Sequence, residues 1–297
     1  MMLRSAFLAL LGFTVACGGA PAGAPPASAP RGPASTEGTV ASADQVPIFY
    51  RTAGTGEPAV VLLHCWGCSS DEWADSIPPL AANHRVIALD LAGHGRSGKA
   101  RAAWTVPAFA ADVRAVLASL GVDRAILVGH SMSGPIAVEA AVEMPGKIVG
   151  VIPIDTLQDV GQPEDAAENA KWFAELRADF PGTVEKLLKM VLPKTVDPAV
   201  FNRIKTFEQA NDPAIGVPVI ENNWSFPIKE AFAKVKVPII AINADLFPTN
   251  VAGNQALAPQ YQVRLIKGVG HWPMLEAPER FNAMLVQAVA DVTATAK

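Results

Sequence analysis

The sequence has few of the residues that a metal centre needs. It contains 3 cysteines and 5 histidines among 297 residues, and only Cys65 and Cys68 form a C-x-x-C pair. No second cysteine pair could complete a zinc cluster, and neither H-E-x-x-H nor H-x-H-x-D-H, the strings typical of metal hydrolases, occurs. We therefore expect no metal and no cofactor. The sequence leaves two states for Cys65 and Cys68: a local disulfide, or two buried, reduced thiols.

The chain also lacks an excess of basic residues. Its 24 Lys and Arg against 28 Asp and Glu give a formal net charge of −4. Nucleic acid is therefore not an expected partner, and neither is an anionic membrane surface. Only 18% of the residues are charged and 50% are hydrophobic, so the chain can bury a large core. A single α/β domain with an insertion fits this length better than two independent domains.

The N-terminal apolar stretch, Ala6 to Val15, is too short to span a bilayer. A basic residue precedes it and small residues follow it, as in a secretory signal. The segment Thr14 to Cys17 resembles a bacterial lipobox, which implies lipidation of Cys17, and Gly18 is not the aspartate that retains such proteins in the inner membrane. We expect a periplasmic or outer-membrane-anchored lipoprotein held to the membrane by its lipid. Simple cleavage near residues 20–24 would instead give a secreted protein.

The composition divides the chain into segments. Residues 1–17 form the predicted signal, and residues 18–37, almost wholly Gly, Ala, Pro and Ser, form a predicted disordered tether. Residues 38–155 and 235–297 form the predicted core, and residues 156–234 form a helical cap. In the core, short apolar runs alternate with segments of helical spacing after two strands that enter antiparallel. This alternation predicts an α/β fold with a mostly parallel, doubly wound sheet and helices on both faces.

A candidate nucleophile lies between a strand and a helix. The apolar run Ala125 to Val128 predicts a strand, the spacing of Met132 to Met144 predicts a helix, and Ser131 falls on the turn between them. On such a turn a hydroxyl is exposed beside the N–H groups that begin the helix. The segment Gly129-His130-Ser131-Met132-Ser133 resembles the G-x-S-x-G motif of the α/β-hydrolase family, with Ser133 in place of the final glycine. The resemblance implies that Ser131 is a nucleophile.

A serine nucleophile needs a histidine base and a carboxylate that orients the base. His271 lies in a glycine-rich loop after the last predicted strand, and Asp245 follows the strand Val237 to Ile242. The order Ser131, Asp245, His271 is the chain order of the α/β-hydrolase family. Some members take the acid from the end of the strand after the nucleophile, which makes Asp155 the alternative carboxylate.

Two loops continue the resemblance. The segment His64-Cys65-Trp66-Gly67-Cys68 is similar to the H-G-x-G segment of the family, which implies that the backbone N–H groups of Trp66 and Met132 form the oxyanion hole. Asp90 to Ser97 matches the D-x-x-G-x-G-x-S loop of the family. In an oxidising compartment, a disulfide between Cys65 and Cys68 would brace the first of these loops.

These observations predict a serine hydrolase of the carboxylesterase type, acting on small-molecule esters or lactones through an acyl-enzyme. The fold also supports C–C bond hydrolases, perhydrolases and aminopeptidases, which share the triad. A surface-anchored binding protein without activity is the alternative of another class, because Ser133 and Cys65 depart from the family pattern.

Overall fold

The computed structural model describes residues 35–163 and 165–295. The predicted signal with Cys17, and residues 18–34 of the predicted tether, lie outside the described residues. Residues 35–37 were assigned to the tether by composition, but they belong to the first strand. They pair antiparallel with residues 51–53, and this pairing supplies hydrogen bonds that the composition could not indicate.

In the described part of the chain, eight strands form one sheet in the order β1-β2-β4-β3-β5-β6-β7-β8. β1 and β2 are antiparallel to their neighbours, and β3 to β8 run parallel. β3, β4, β5 and β7 are buried at every position, as expected for parallel strands covered on both faces. The predicted α/β architecture with a mostly parallel sheet is confirmed. The strands are β1 Ser35–Ala41, β2 Pro47–Ala53, β3 Ala59–Leu63, β4 Val86–Leu89, β5 Ala125–His130, β6 Ile148–Ile154, β7 Ile239–Ala244 and β8 Tyr261–Ile266.

Helices flank this sheet. The helices are α1 Ile77–Ala81, α2 Val106–Ser119, α3 Ser133–Glu143, α4 Ala166–Ala178, α5 Phe180–Val191, α6 Pro198–Gln209, α7 Pro213–Trp224, α8 Ile228–Lys234, α9 Val251–Leu257, α10 Pro273–Glu276 and α11 Pro278–Thr295. α2 packs against α3, α3 packs on β5 and β6, and α11 packs on β6 and β7. Among the described residues, no helix combines the length and the hydropathy that crossing a membrane requires.

Helices α4 to α7, which we call the cap helices, lie between β6 and β7 in the chain. Each begins with an aspartate whose carboxylate accepts hydrogen bonds from the first-turn N–H groups. Three of them also carry proline in the first turn, where its missing N–H costs nothing. Inside the cap, Trp172 stacks on Trp224 with ring centroids 4.9 Å apart, and Phe173 packs on Trp224 at 5.2 Å. The capping aspartates are Asp165, Asp179, Asp197 and Asp212.

Candidate active site

Ser131 occupies a strained turn at the carboxyl end of β5. Its φ of 53° lies in the left-handed region, which non-glycine residues rarely adopt. The turn is held by Ser131 N–H, which donates to the carbonyl of Ile154 at 3.1 Å, and by Gly134 N–H, which donates to the Ser131 carbonyl at 2.9 Å. Gly129 is required here, because a Cβ on it would lie 2.3 Å from the carbonyl oxygen of Ser133. The sequence thus folds into a tight strand-to-helix turn with Ser131 at its apex.

His271 is oriented by Asp155. Its Nδ1 lies 2.6 Å from Asp155 Oδ2, and the aspartate is 4% exposed. The Ala244 N–H donates to the other carboxylate oxygen, Asp155 Oδ1, at 2.8 Å. A carboxylate beside Nδ1 keeps the proton on that nitrogen, which leaves Nε2 of His271 able to accept a proton. This is the arrangement in which a histidine acts as a general base.

Asp245, the orienting acid predicted from the sequence, does not contact His271. Its exposed carboxylate accepts a hydrogen bond from Gly268 N–H at 2.9 Å and so caps the turn after β8. Asp155 takes the place beside His271 because the chain turns at that residue with a φ of 43° immediately after β6. The order of serine, aspartate and histidine along the chain is the same for both acids, so order could not distinguish them. We correct the predicted acid from Asp245 to Asp155.

The loop after β3 is fixed by the imidazole of His64. Leu91 N–H donates to His64 Nε2 at 2.9 Å, so Nδ1 carries the proton and donates to the Cys65 carbonyl at 2.7 Å. Burial lowers the pKa of His64, which is consistent with this neutral form. The hydroxyl of Ser133 donates to the His64 carbonyl at 2.5 Å. The residue that departs from the G-x-S-x-G pattern therefore connects the nucleophile turn to the predicted oxyanion loop.

The two predicted oxyanion donors belong to the loop after β3 and to the residue that follows Ser131. Trp66 is buried in the loop after β3, and its indole N–H donates to the carbonyl of Gly216 in α7 at 2.8 Å. Met132 directly follows Ser131, and its carbonyl accepts a hydrogen bond from Asn223 at 2.9 Å. The Trp66 side chain and the Met132 backbone are thus both hydrogen-bonded to α7 of the cap. The oxyanion role of the two backbone N–H groups stays a prediction.

Cys65 and Cys68 are joined by a disulfide, with their Cα atoms 5.4 Å apart. This is the first of the two states that the sequence left open. Two groups of side chains have the spacing of metal ligands. One is Cys65, Cys68 and Glu208, and the other is Cys65, Glu72 and His130. In the described structure, however, the sulfur atoms bond each other. Both nitrogens of His130 are also engaged, as described next.

His130 and Glu72 form a buried pair beneath the site that the sequence analysis did not identify. His130 Nδ1 lies 3.1 Å from Glu72 Oε1, and Nε2 lies 2.6 Å from the carbonyl oxygen of His271. Nε2 must donate to the carbonyl oxygen, and protonation of the ring lets Nδ1 donate to the Glu72 carboxylate as well. Burial opposes this charge, but the Glu72 carboxylate outweighs it and the pKa of His130 is raised. Glu72 Oε2 also accepts a hydrogen bond from Cys65 N–H at 3.4 Å.

This pair connects three parts of the site, namely the strand before Ser131, the loop of His271 and the loop after β3. The two hydrogen bonds of His130 occupy both of its ring nitrogens, so the ring is not available as the base of Ser131. No pattern in the sequence indicated that Glu72 is a functional residue. In the structure it is buried beside Trp73.

Ser131 and His271 border a cavity with two lobes that share Val191, Ile220 and Trp224. The lobe that we call apolar has a volume of about 550 Å³ and is lined by Trp66, Trp172, Leu187, Met190 and Glu208. The lobe that we call polar has a volume of about 530 Å³ and is lined by Asp155, Thr156, Gln158, Asp159 and Asn223. A concave, mostly apolar site with a few converging polar groups is typical of small-molecule binding.

Residues 60–284 match the model of the alpha/beta hydrolase family. The chain belongs to this family, and the protein is a carboxylesterase-like hydrolase of ester-type substrates. It is 28% identical over 254 residues to a pimeloyl-[acyl-carrier protein] methyl ester esterase of Edwardsiella ictaluri, a match covering 81% of this chain and 96% of the relative.

Two solved structures place the fold among related hydrolases. Est816, described as an N-acyl homoserine lactone degrading enzyme, is 29% identical with a TM-score of 0.71, over 84% of this chain and 98% of that one. A putative aryl esterase from Burkholderia cenocepacia is 22% identical with a TM-score of 0.72, over 87% of this chain and 100% of that one. The second similarity concerns the fold alone.

Proposed function

We propose that the protein hydrolyses carboxylic esters and lactones through an acyl-enzyme formed on Ser131. The observation that carries this proposal is the hydrogen bond between His271 and Asp155, in a cavity that Ser131 also borders. In the first step the Ser131 hydroxyl oxygen bonds to the substrate carbonyl carbon, and its proton passes to His271 Nε2. The backbone N–H groups of Trp66 and Met132 stabilise the negative oxygen that results.

The intermediate then collapses and the bond to the leaving alcohol breaks. His271 returns its proton to the leaving oxygen, so the alcohol departs neutral and the acyl group stays on Ser131. A water molecule next bonds to the acyl carbon while His271 takes one of its protons. In the collapse of this second intermediate the bond between Ser131 Oγ and the acyl carbon breaks, His271 returns its proton to Oγ, and the carboxylic acid leaves. Asp155 stabilises the imidazolium in both steps.

The test is hydrolysis of p-nitrophenyl acetate, butyrate and octanoate by the full chain and three variants. Ser131→Ala should abolish turnover, and Asp155→Asn should lower kcat by about three to four orders of magnitude, because the asparagine favours the wrong tautomer of His271. Asp245→Asn is the matched control and should remain close to wild type, since its side chain only caps a turn. Equal losses in Asp155→Asn and Asp245→Asn would contradict the assignment of the acid.

Lactones form the second substrate class of this proposal. Two features support it: the similarity to the lactone-degrading Est816, and the polar lobe beside Ser131, which offers carboxylate, hydroxyl and amide groups to a polar ring. Release of acid from an N-acyl homoserine lactone, followed by pH-stat, should depend on Ser131 as ester cleavage does. A folded wild-type protein that cleaves neither esters nor lactones, and that a serine-directed phosphonate fails to label, would favour the non-catalytic binding protein instead.

We also propose that the protein is exported and anchored by a lipid on Cys17. The support is the lipobox-like segment Thr14 to Cys17 and the tether-like composition that follows it. Such an anchor would hold the hydrolase at a membrane while its substrate diffuses to it.

A further inference from the structure

Glu208 is a buried carboxyl group in the wall of the active-site cavity. It lies in the last turn of cap helix α6, is 2% exposed, and lines the apolar lobe together with Trp66. The carboxyl group covers the disulfide loop after β3, with Oε1 3.7 Å from Cys65 Sγ and 3.9 Å from Cys68 Sγ. Gly67 makes room for it, because a Cβ at that position would lie 2.6 Å from Oε2.

The hydrogen-bonding capacity of this group is not used within the described residues. Glu208 Oε2 has no hydrogen-bond partner there, and no described lysine, arginine or histidine forms an ion pair with the side chain. Disulfide sulfur atoms carry no proton and accept hydrogen bonds only weakly, so they do not satisfy Oε1. A buried polar group without a partner destabilises a protein, and such groups in native structures call for an explanation. Of the described groups of this kind, Glu208 is the carboxyl group that lines the cavity bordered by Ser131.

Burial without a counter-charge among the described residues favours the neutral form of the carboxyl group. Burial, together with the nearby Glu72 carboxylate, raises the pKa of Glu208 well above its usual value. In the protonated state the group offers one O–H donor and keeps free acceptor positions on its oxygens. An amide matches this pattern, because it is uncharged and offers both an N–H and a carbonyl oxygen. An ammonium ion would require Glu208 to ionise, and a carboxylate would lie close to Glu72.

We propose that Glu208 is a specificity-determining residue that hydrogen-bonds an amide group carried by the acyl part of the substrate, a few bonds from the reacting carbonyl. The inference rests on the proposed function. The placement near the reacting carbonyl follows from two observations: Glu208 and Ser131 line the same lobe, and Glu208 lies against the loop that carries the predicted oxyanion donor Trp66. The preferred substrates are therefore N-acylamino esters and lactones rather than plain alkanoates.

The test compares two p-nitrophenyl esters of similar acyl length. N-acetylglycinate carries the amide, and pentanoate does not. Glu208→Leu should lower kcat/KM for the N-acetylglycinate ester about tenfold relative to pentanoate, the effect of losing one hydrogen bond. Glu208→Gln keeps an N–H donor and should hold the ratio of the two kcat/KM values within about threefold of wild type. Comparing ratios cancels the different intrinsic reactivities of the esters.

Glu230→Leu, which changes an exposed glutamate of α8 outside the cavity, is the matched control and should leave the ratio unchanged. Thermal melting of each variant checks that it is folded. Equal losses on both esters in Glu208→Leu would show a structural role and overturn the inference while the proposed function stands. A wild-type protein inactive on both esters would overturn the proposed function and the inference together.

Discussion

At the scale of single residues, the cation on His130 should stabilise both the fold and the catalytic geometry. Its two N–H groups contact the Glu72 carboxylate and the His271 carbonyl. His130→Gln leaves Glu72 buried without a counter-charge, so we expect the free energy of unfolding to fall by about 3–5 kcal/mol. We also expect kcat to fall more than KM rises, because the loop of His271 loses its anchor. Urea unfolding and ester kinetics at about pH 6 measure the two effects.

A double variant separates the charge pair from simple packing. His130→Gln combined with Glu72→Gln removes both charges, and it should recover part of the lost unfolding free energy. A double variant no more stable than His130→Gln alone would contradict the buried pair.

The sign of the pH dependence follows from the raised pKa of His130. Its contribution to stability is fully present below the unfolded pKa of about 6.5 and is lost as pH rises through the folded pKa. The advantage of wild type over His130→Gln in unfolding free energy should therefore shrink as the pH is raised above neutrality. The titratable groups that influence or contact His130 are Glu72, His64, Asp155, His271 and Glu276.

Some residues of the candidate site can be predicted from the sequence, and others cannot. Ser131 and His271 were identified because a strand, a glycine-rich turn and the residue type coincide at each. The acid could not be chosen in that way, since Asp155 and Asp245 both follow strands and both precede His271. Asp155 lies beside His271 because of its backbone conformation and the contact that its side chain makes. Both are features of the folded structure, and the sequence pattern does not show them. Glu208 gave no signal at all, because its burial depends on how the cap packs.

At the scale of elements, the hydroxyl of Ser133 connects the first turn of α3 to the loop after β3. It is fully buried and donates to the His64 carbonyl at 2.5 Å. Ser133→Ala should cost about 1 kcal/mol of unfolding free energy. It should also lower kcat by several fold with little change in KM, because the connection positions the predicted oxyanion donors rather than binding substrate. Urea unfolding measures the first effect, and steady-state ester hydrolysis measures kcat and KM.

Ser133→Gly restores the glycine of the G-x-S-x-G pattern and serves as the comparison. It removes the same hydroxyl, so its kcat should fall as far as in Ser133→Ala, and added backbone freedom should lower its stability further. Full kcat in either variant would show that the hydrogen bond has no part in positioning the loop.

The elements themselves were largely predictable. The apolar run Ala125 to Val128 lies within β5, and the run Val237 to Ile242 overlaps β7, which begins and ends two residues later. The helical spacing of Met132 to Met144 located α3 to within one residue at each end. Buried parallel strands have uninterrupted apolar runs, which is why the pattern is clear. The start of β1 was missed because its edge position leaves it exposed and polar, so composition resembled the tether.

At the scale of the whole molecule, the predicted leader should determine where the hydrolase is located. The described residues 35–295, apart from residue 164, contain the catalytic site and its core, so the predicted leader should affect location and not activity. Cys17→Ser removes the thiol that a lipid would modify. We expect it to move the protein from the membrane fraction to the soluble fraction, with unchanged hydrolysis per mole of folded protein. Metabolic labelling with a palmitate analogue, followed by fractionation, measures this.

Gly18→Asp provides the matched variant. An aspartate after the lipidated cysteine is the inner-membrane retention signal of such lipoproteins, so this change should keep the lipid label and shift the protein from the outer to the inner membrane. Acyl chains bind a bilayer by burying their methylene groups, and each buried methylene group contributes about 0.8 kcal/mol. Loss of the lipid should therefore release the protein completely. A Cys17→Ser protein that stays on the membrane, or a wild-type chain that takes up no label, would instead support cleavage near residues 20–24 and a soluble enzyme.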